Sequence, residues 1–178
     1  IEFFSIVARD ISDRKRLESS LQRQATHDPL TGLPNRALLL ERIQRALDGV
    51  RGLGSRHSVG LLFIDLDHFK SVNDTLGHAL GDQILVTVAE RIAAVVRPGD
   101  TVARFGGDEF VVLCERLDHP EDAVVIAHRI DASLHQPIGD DKQQLQLGVS
   151  IGISFADGDD PDPSAVLRDA DTAMYRAK

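Results

Sequence analysis

One cysteine, Cys114, stands in 178 residues and tryptophan is absent. A lone cysteine excludes a disulfide framework and a cysteine-rich zinc site, so stability has to come from packing, and a reducing, cytoplasmic setting is expected. Long apolar runs are missing too. Nothing approaches the ~20 residues that cross a bilayer, and the first residues lack the basic and apolar blocks of a secretory signal, so a soluble domain is expected, with membrane tethering of a full-length protein left open. Positive charge is short: 20 bases face 28 acids for a formal charge of −8. That deficit argues against a non-specific binder of nucleic-acid polymers, which needs clustered Lys and Arg to neutralise phosphates. A phosphate ligand would need metal ions to reconcile it with the acids. What is present is 42% hydrophobic residues and a mean hydropathy of −0.13, enough for one sizeable core.

The run Ile1 to Asp10 has strand character without a nearby partner and reads as the last strand of another domain. From Ser12 to about Thr26 the chain lacks Gly and Pro and carries Leu17 and Leu21 on one face, a short helical stalk that fits either a two-heptad coiled coil or a solvated linker helix. The globular part opens with a Pro- and Gly-forced turn before a helix over Arg36–Leu47. Ser58 to Asp65 is an apolar run ending in a carboxylate, a strand buried on both faces. Helices are predicted over Asp67–Thr75 and Asp82–Val96, separated by Gly77 to Gly81. Thr101–Arg104 and Phe110–Cys114 flank a glycine turn as a hairpin. A helix over Glu121–His135, strands over Gln144–Leu147 and Val149–Phe155, and a proline-started helix from Asp162 to Lys178 complete the chain. This order predicts an α+β fold, a mostly antiparallel central sheet flanked by helices.

Asp65 at a strand end and Gly106-Gly107-Asp108-Glu109 at a hairpin turn can place two or three carboxylates together. Hard oxygen donors of this kind suit Mg²⁺, and two such ions can activate a hydroxyl and stabilise a leaving pyrophosphate. The paired glycines leave room for a nucleotide over the backbone. On spacing alone, the turn also fits a plain hairpin, and Asp67 fits a helix cap.

Arg104-Phe105-Gly106-Gly107-Asp108-Glu109-Phe110 resembles the signature of the GGDEF family, the diguanylate cyclases. Further ordered blocks agree: Asp28-Pro29-Leu30-Thr31-Gly32-Leu33-Pro34-Asn35-Arg36, Phe63 to Asp74, Gly77 to Asp82, and Ala173 to Lys178. The resemblance covers about Asp28 to Lys178 and implies the palm-like nucleotide cyclase fold. It divides the chain into 1–11, the end of a PAS-like sensor domain, 12–27, a helical linker, and 28–178, the GGDEF domain.

The implied activity is condensation of two GTP into cyclic di-GMP by a homodimer, with Mg²⁺, or Mn²⁺ in its place, as cofactor. Asp65, the Leu66 carbonyl, Asp108 and Glu109 are the implied metal ligands, Asp108 also a base for the ribose 3′-hydroxyl, and Asp108 and Glu109 the catalytic pair. Asn73 and Asp82 are implied to read guanine, whose N1–H and N2–H₂ donors a carboxylate accepts together. His78, Gly106 and Gly107 line the nucleotide, and Lys70 and Lys178 meet its triphosphate. Arg97-Pro98-Gly99-Asp100 matches the family's R-x-x-D product-inhibition site; on residue types alone, Arg97 is equally a helix-end cation and Asp100 a turn residue. The alternative is a catalytically silent GTP-binding module beside an EAL phosphodiesterase domain.

Overall fold

The structure, a computed structural model, describes residues 21–51, 57–140, 143–156 and 162–178. The expected sensor strand and most of the linker lie outside the described residues; of the linker, residues 21–26 are helical. Eleven elements follow: α1 (Arg36–Arg51), β1 (Ser58–Leu66), α2 (Phe69–Leu76), α3 (His78–Val95), β2 (Thr101–Gly106), β3 (Glu109–Leu117), α4 (Glu121–Leu134), β4 (Ile138–Asp140), β5 (Gln143–Leu145), β6 (Val149–Ala156) and α5 (Pro163–Ala177). The strands β2-β3-β1-β6 form one antiparallel sheet, and β4 and β5 a separate two-stranded hairpin. The expected antiparallel sheet flanked by helices is what the chain forms.

Helices cover both faces of that sheet, which is why β1 reads as an unbroken apolar run. Leu62, Ile64 and Leu66 join one core with Ile84, Val88 and Ile92 of α3 and Ile126 and Ile130 of α4. Leu61 and Phe63 join the other with Leu39 and Ile43 of α1 and Leu167 and Met174 of α5. The period of two in β1 continues to Asp65, which falls on the α1/α5 side at the end of the strand.

In β6 the buried members of the alternation are the small ones, Ser150, Gly152, Ser154 and Ala156. The cause is α5. A Cβ on Gly152 would lie 2.1 Å from both the Ala170 carbonyl oxygen and the Met174 amide nitrogen, so the helix backbone rests directly on the strand. The Ser154 hydroxyl donates to the Val166 carbonyl at 2.8 Å, and Asp162 caps the helix by accepting from the Ser164 amide at 3.1 Å. This seating aims the C-terminal end of α5 at the end of β1.

Three local expectations need correction. α3 starts at His78, not Asp82, because Gly77 alone, at φ 86°, supplies the break and Gly81 continues the helix. α2 is preceded by His68 in the left-handed region, so Asp67 is not its cap. The strand expected over Gln144–Leu147 is Gln143–Leu145 and pairs with β4 outside the main sheet.

Candidate functional site

The sheet registers bring the acids together. Asp65 of β1 sits directly opposite Glu109 of β3, and the Leu66 amide donates to the Asp108 carbonyl at 3.4 Å. On the other side Asp65 pairs with Ser150 of β6. Gly107 turns the hairpin at φ 42°, and a Cβ there would meet nothing within 4 Å, so the backbone above the turn is open. The residue that caps the C-terminal end of α5 closes the group: Lys178 Nζ lies 2.7 Å from Asp65 Oδ1.

Electrostatics follow from this crowding. The Glu109 carboxyl is pushed up by burial and by the charges of Asp65, Asp108 and Asp171, with Lys178 opposing them. The Lys178 ammonium is raised by its hydrogen bond to Asp65, against the opposing effect of burial, and by the charges of Asp65, Asp67 and Asp108. Asp67 is held apart from the acids. Its Oδ1 accepts from the Ser150 hydroxyl at 2.8 Å, its amide donates to the Gly148 carbonyl at 2.9 Å, and a Cβ on Gly148 would lie 2.7 Å from its Oδ2.

Two of the expected ligand acids meet in register; three do not converge. Among the described residues, no group of three or more His, Cys, Asp or Glu side chains is close enough to hold a metal ion. The donor set still suits Mg²⁺, which keeps several waters and is bound through one or two carboxylates together with substrate phosphates. Beside the acids lies a cavity of about 260 Å³ lined by Asp67, His68, Ser150, Ala177 and Lys178.

The residues expected to read guanine lie on the opposite side of the sheet, on α2 and α3. Gly81 is what lets these helices close: a Cβ there would fall 1.9 Å from Asn73 Oδ1 and 3.4 Å from the tip of Phe69. Asn73 is thereby packed against Gly81, the residue before Asp82, while Asp82, His78 and Lys70 are exposed. Phe69 and Gly81 carry no role in the sequence reading, though both lie within the matching blocks.

Arg97 and Asp100 sit apart, in the turn between α3 and β2. The six-residue β2, at about 3.3 Å per residue, places them roughly 15–20 Å from the glycine turn. Arg97 Nη2 is 3.7 Å from Asp122 Oδ1. Asp100 Oδ2 is buried without a hydrogen-bond partner among the described residues, and burial raises this carboxyl against the lowering effect of the Glu115 amide and Arg97.

One connection had no sequence signal beyond the matching blocks. Arg104 Nη1 donates to Asp28 at 3.0 and 3.2 Å, and its Nε and Nη2 donate to the Gly107 carbonyl at 3.0 and 2.7 Å. The opening loop is thus tied to the turn that carries Asp108 and Glu109.

Comparison with known proteins bears on the family and the fold. The chain is 47% identical to the diguanylate cyclase TpbB of Pseudomonas aeruginosa over 90% of its own length and 37% of the relative's. It is 43% identical to MucR, a bifunctional diguanylate cyclase/cyclic di-GMP phosphodiesterase of the same organism, over 92% of this chain and 23% of MucR. The chain therefore spans between about a quarter and two fifths of these relatives. The crystal structure of the coiled coil and GGDEF domain of DgcB from Caulobacter crescentus, in complex with c-di-GMP, superposes with a TM-score of 0.83 at 27% identity, covering 99% of this chain and 94% of that one. Residues 25–178 match the family described as diguanylate cyclase, GGDEF domain, and with the glycine turn, the facing acids and the fold in agreement, this chain belongs to that family.

Proposed function

We propose that this domain condenses two molecules of GTP into cyclic di-GMP, releasing two of pyrophosphate, as one half of a symmetric homodimer. The observation that carries this reading is the register that sets Asp65 against Glu109 beside the Asp108 turn, with Lys178 at the same end of the sheet. Each domain binds one GTP, and the 3′-hydroxyl of one is presented to the α-phosphorus of the other, so two copies must face each other.

Asp65, the Leu66 carbonyl, Asp108 and Glu109 hold Mg²⁺ or Mn²⁺, which when bound supplies Lewis-acid stabilisation of the phosphates and lowers the pKa of the attacking hydroxyl. Asp108 accepts the proton of the 3′-hydroxyl. Asn73 and Asp82 select guanine through its adjacent donors, and His78 lines the same pocket. Lys178 and Lys70 neutralise the triphosphate, and the open backbone at Gly106 and Gly107 admits it. Arg97 and Asp100 bind a guanine of the product and restrain the domain when product accumulates; the Asp100 oxygen that lacks a partner among the described residues is the acceptor such a base would satisfy.

Incubation of the domain with GTP and Mg²⁺ at high protein concentration, followed by nucleotide separation, tests the reading. Cyclic di-GMP and pyrophosphate are the expected products. Bound, unreacted GTP would instead identify a silent regulatory module.

A further inference from the structure

We infer that Lys178 is the resident counter-ion of Asp65, closing that carboxylate to a lone divalent cation and moving to the triphosphate when nucleotide and metal arrive together. The inference rests on the reading above that Asp65 and the turn acids are metal ligands.

The geometry supports it from both ends of the ion pair. The Asp65 side chain is only 10% exposed, so its charge has lost most of its water and needs a cation close by, which Lys178 Nζ supplies at 2.7 Å. The Lys178 side chain is 41% exposed and follows α5 beyond the part of the helix that Gly152 locks to the sheet. The carboxylate is therefore fixed in the strand, whereas the long, partly exposed lysine side chain can change rotamer. The destination is adjacent: Lys178 also lines the cavity of about 260 Å³ shared with Asp67, His68, Ser150 and Ala177, so its ammonium can exchange the carboxylate for phosphate oxygens by changing rotamers.

The remaining acids agree with a site that does not hold metal alone. Glu109 is crowded by Asp65, Asp108 and Asp171, and Lys178 relieves that field. Among the described residues, no three metal-binding side chains converge. A divalent ion arriving without nucleotide meets two facing carboxylates, one already ion-paired; arriving on GTP, it brings phosphate oxygens that complete its own shell and attract the displaced ammonium. Loading is then ordered, and the acids stay neutralised in the interval.

The test is Mn²⁺ binding read by electron paramagnetic resonance, on this chain and on Lys178→Met, with and without GTP at a temperature too low for turnover. Without nucleotide, Lys178→Met is expected to bind Mn²⁺ roughly fivefold more tightly than the parent, the size of a partly exposed ion pair removed from competition. With GTP the order reverses, because the triphosphate has lost its lysine. Adding Asp65→Asn to Lys178→Met is expected to erase the nucleotide-free gain, which places the ion at Asp65. Equal or weaker nucleotide-free binding by Lys178→Met, with normal binding in the presence of GTP, overturns the counter-ion role and leaves the metal ligands standing. No Mn²⁺ binding by either protein even with GTP overturns both. Lys178 is exposed and lies outside both buried cores, so a folding defect does not confuse the result.

Discussion

Arg104 holds Asp28 with one nitrogen and the Gly107 carbonyl with the other two, joining the first loop of the domain to the turn that presents Asp108 and Glu109. The loop is itself well anchored. The Thr31 amide and hydroxyl donate to Asp28 Oδ1 at 2.8 and 2.7 Å, the Arg104 amide donates to the Pro34 carbonyl at 3.0 Å, and Asn35 Oδ1 accepts from the Ala37 and Leu38 amides at the start of α1. Asn35 Nδ2 also donates to the Ala25 carbonyl, which connects the stalk helix to the same assembly. A displacement of the stalk therefore has a short bonded route to the glycine turn.

Replacing Arg104 by Ala is expected to cost about 2 kcal/mol of stability, the scale of hydrogen bonds to a charged group, and to reduce turnover far more than the stability loss explains, because the turn loses its brace. Lysine at this position keeps the charge but cannot fork, and restores little. Urea unfolding and initial rates of cyclic di-GMP formation separate the two effects. The pH dependence has a defined sign. Burial raises the Asp28 carboxyl, but hydrogen bonds from Thr31 and Arg104 outweigh it and hold the group below its ordinary value of 3.8. The stabilisation is complete above that value and disappears as pH falls through the lower, folded one. Asp28→Asn is expected to flatten this part of the acid limb in melts below pH 4.

The sheet and the helices covering it were legible because their signals are periodic. β1 is apolar on both faces, α3 carries its stripe through Ile84, Leu85, Val88 and Ile92, and Asp162-Pro163 marks the start of α5. The carboxylates were legible as a motif. What could not be read was contact between distant segments that no periodicity encodes. Arg104 and Asp28 are 76 residues apart, and only the sheet register shows that they meet. The boundary of α3 was misread for a related reason: Gly81 resembles a breaker in sequence, yet its missing Cβ serves the approach of Asn73. Asp67 looked like a cap because a carboxylate before a helix usually is one, whereas Ser150 and Gly148 engage it from β6 and the residue preceding that strand.

Selectivity for guanine should depend on Asp82. The carboxylate is exposed, and its neighbour Gly81 packs on Asn73, so Asp82→Ala removes an acceptor without opening the core. Loss of a bidentate contact is worth about 1–3 kcal/mol, so GTP affinity is expected to fall by roughly 5- to 150-fold while ATP affinity changes little. Calorimetric titration of both nucleotides into parent and variant measures the ratio, and an unchanged ratio removes Asp82 from the guanine pocket.

Feedback by product should run through Arg97. This arginine and Asp100 lie a strand length from the glycine turn, so product bound there would act by coupling between sites and not by occupying the proposed substrate pocket. Arg97→Ala is expected to raise the cyclic di-GMP concentration needed for inhibition at least tenfold, in line with a lost bidentate contact to guanine. The readout is the ratio of early to late velocity in a progress curve with and without added cyclic di-GMP, which a merely structural lesion leaves unchanged. A variant that slows as product accumulates in the same way as the parent returns Arg97 to a helix-end cation.

Glu109 should be a residue whose removal stabilises the protein while abolishing its activity. Burial and the charges of Asp65, Asp108 and Asp171 raise its carboxyl above the ordinary value of 4.5, so its ionised form is disfavoured in the folded domain. For an acid with a raised folded pKa, the favourable contribution is that of the protonated form, complete below the ordinary value and lost as pH rises through the folded one. Ionisation of Glu109 in the folded domain is thus opposed by its acidic neighbours and only partly offset by Lys178, and Glu109→Gln is expected to raise the melting temperature at pH 7 by a few degrees, a common gain when a strained functional group is neutralised. Below pH 4.5 the difference should vanish, because the parent is protonated there. Melting curves of both proteins across pH 4 to 8, without nucleotide or metal, read the effect directly. A difference that is independent of pH would assign the gain to packing instead, and a lower melting temperature for the variant at pH 7 would show that the Glu109 charge is compensated in the folded state.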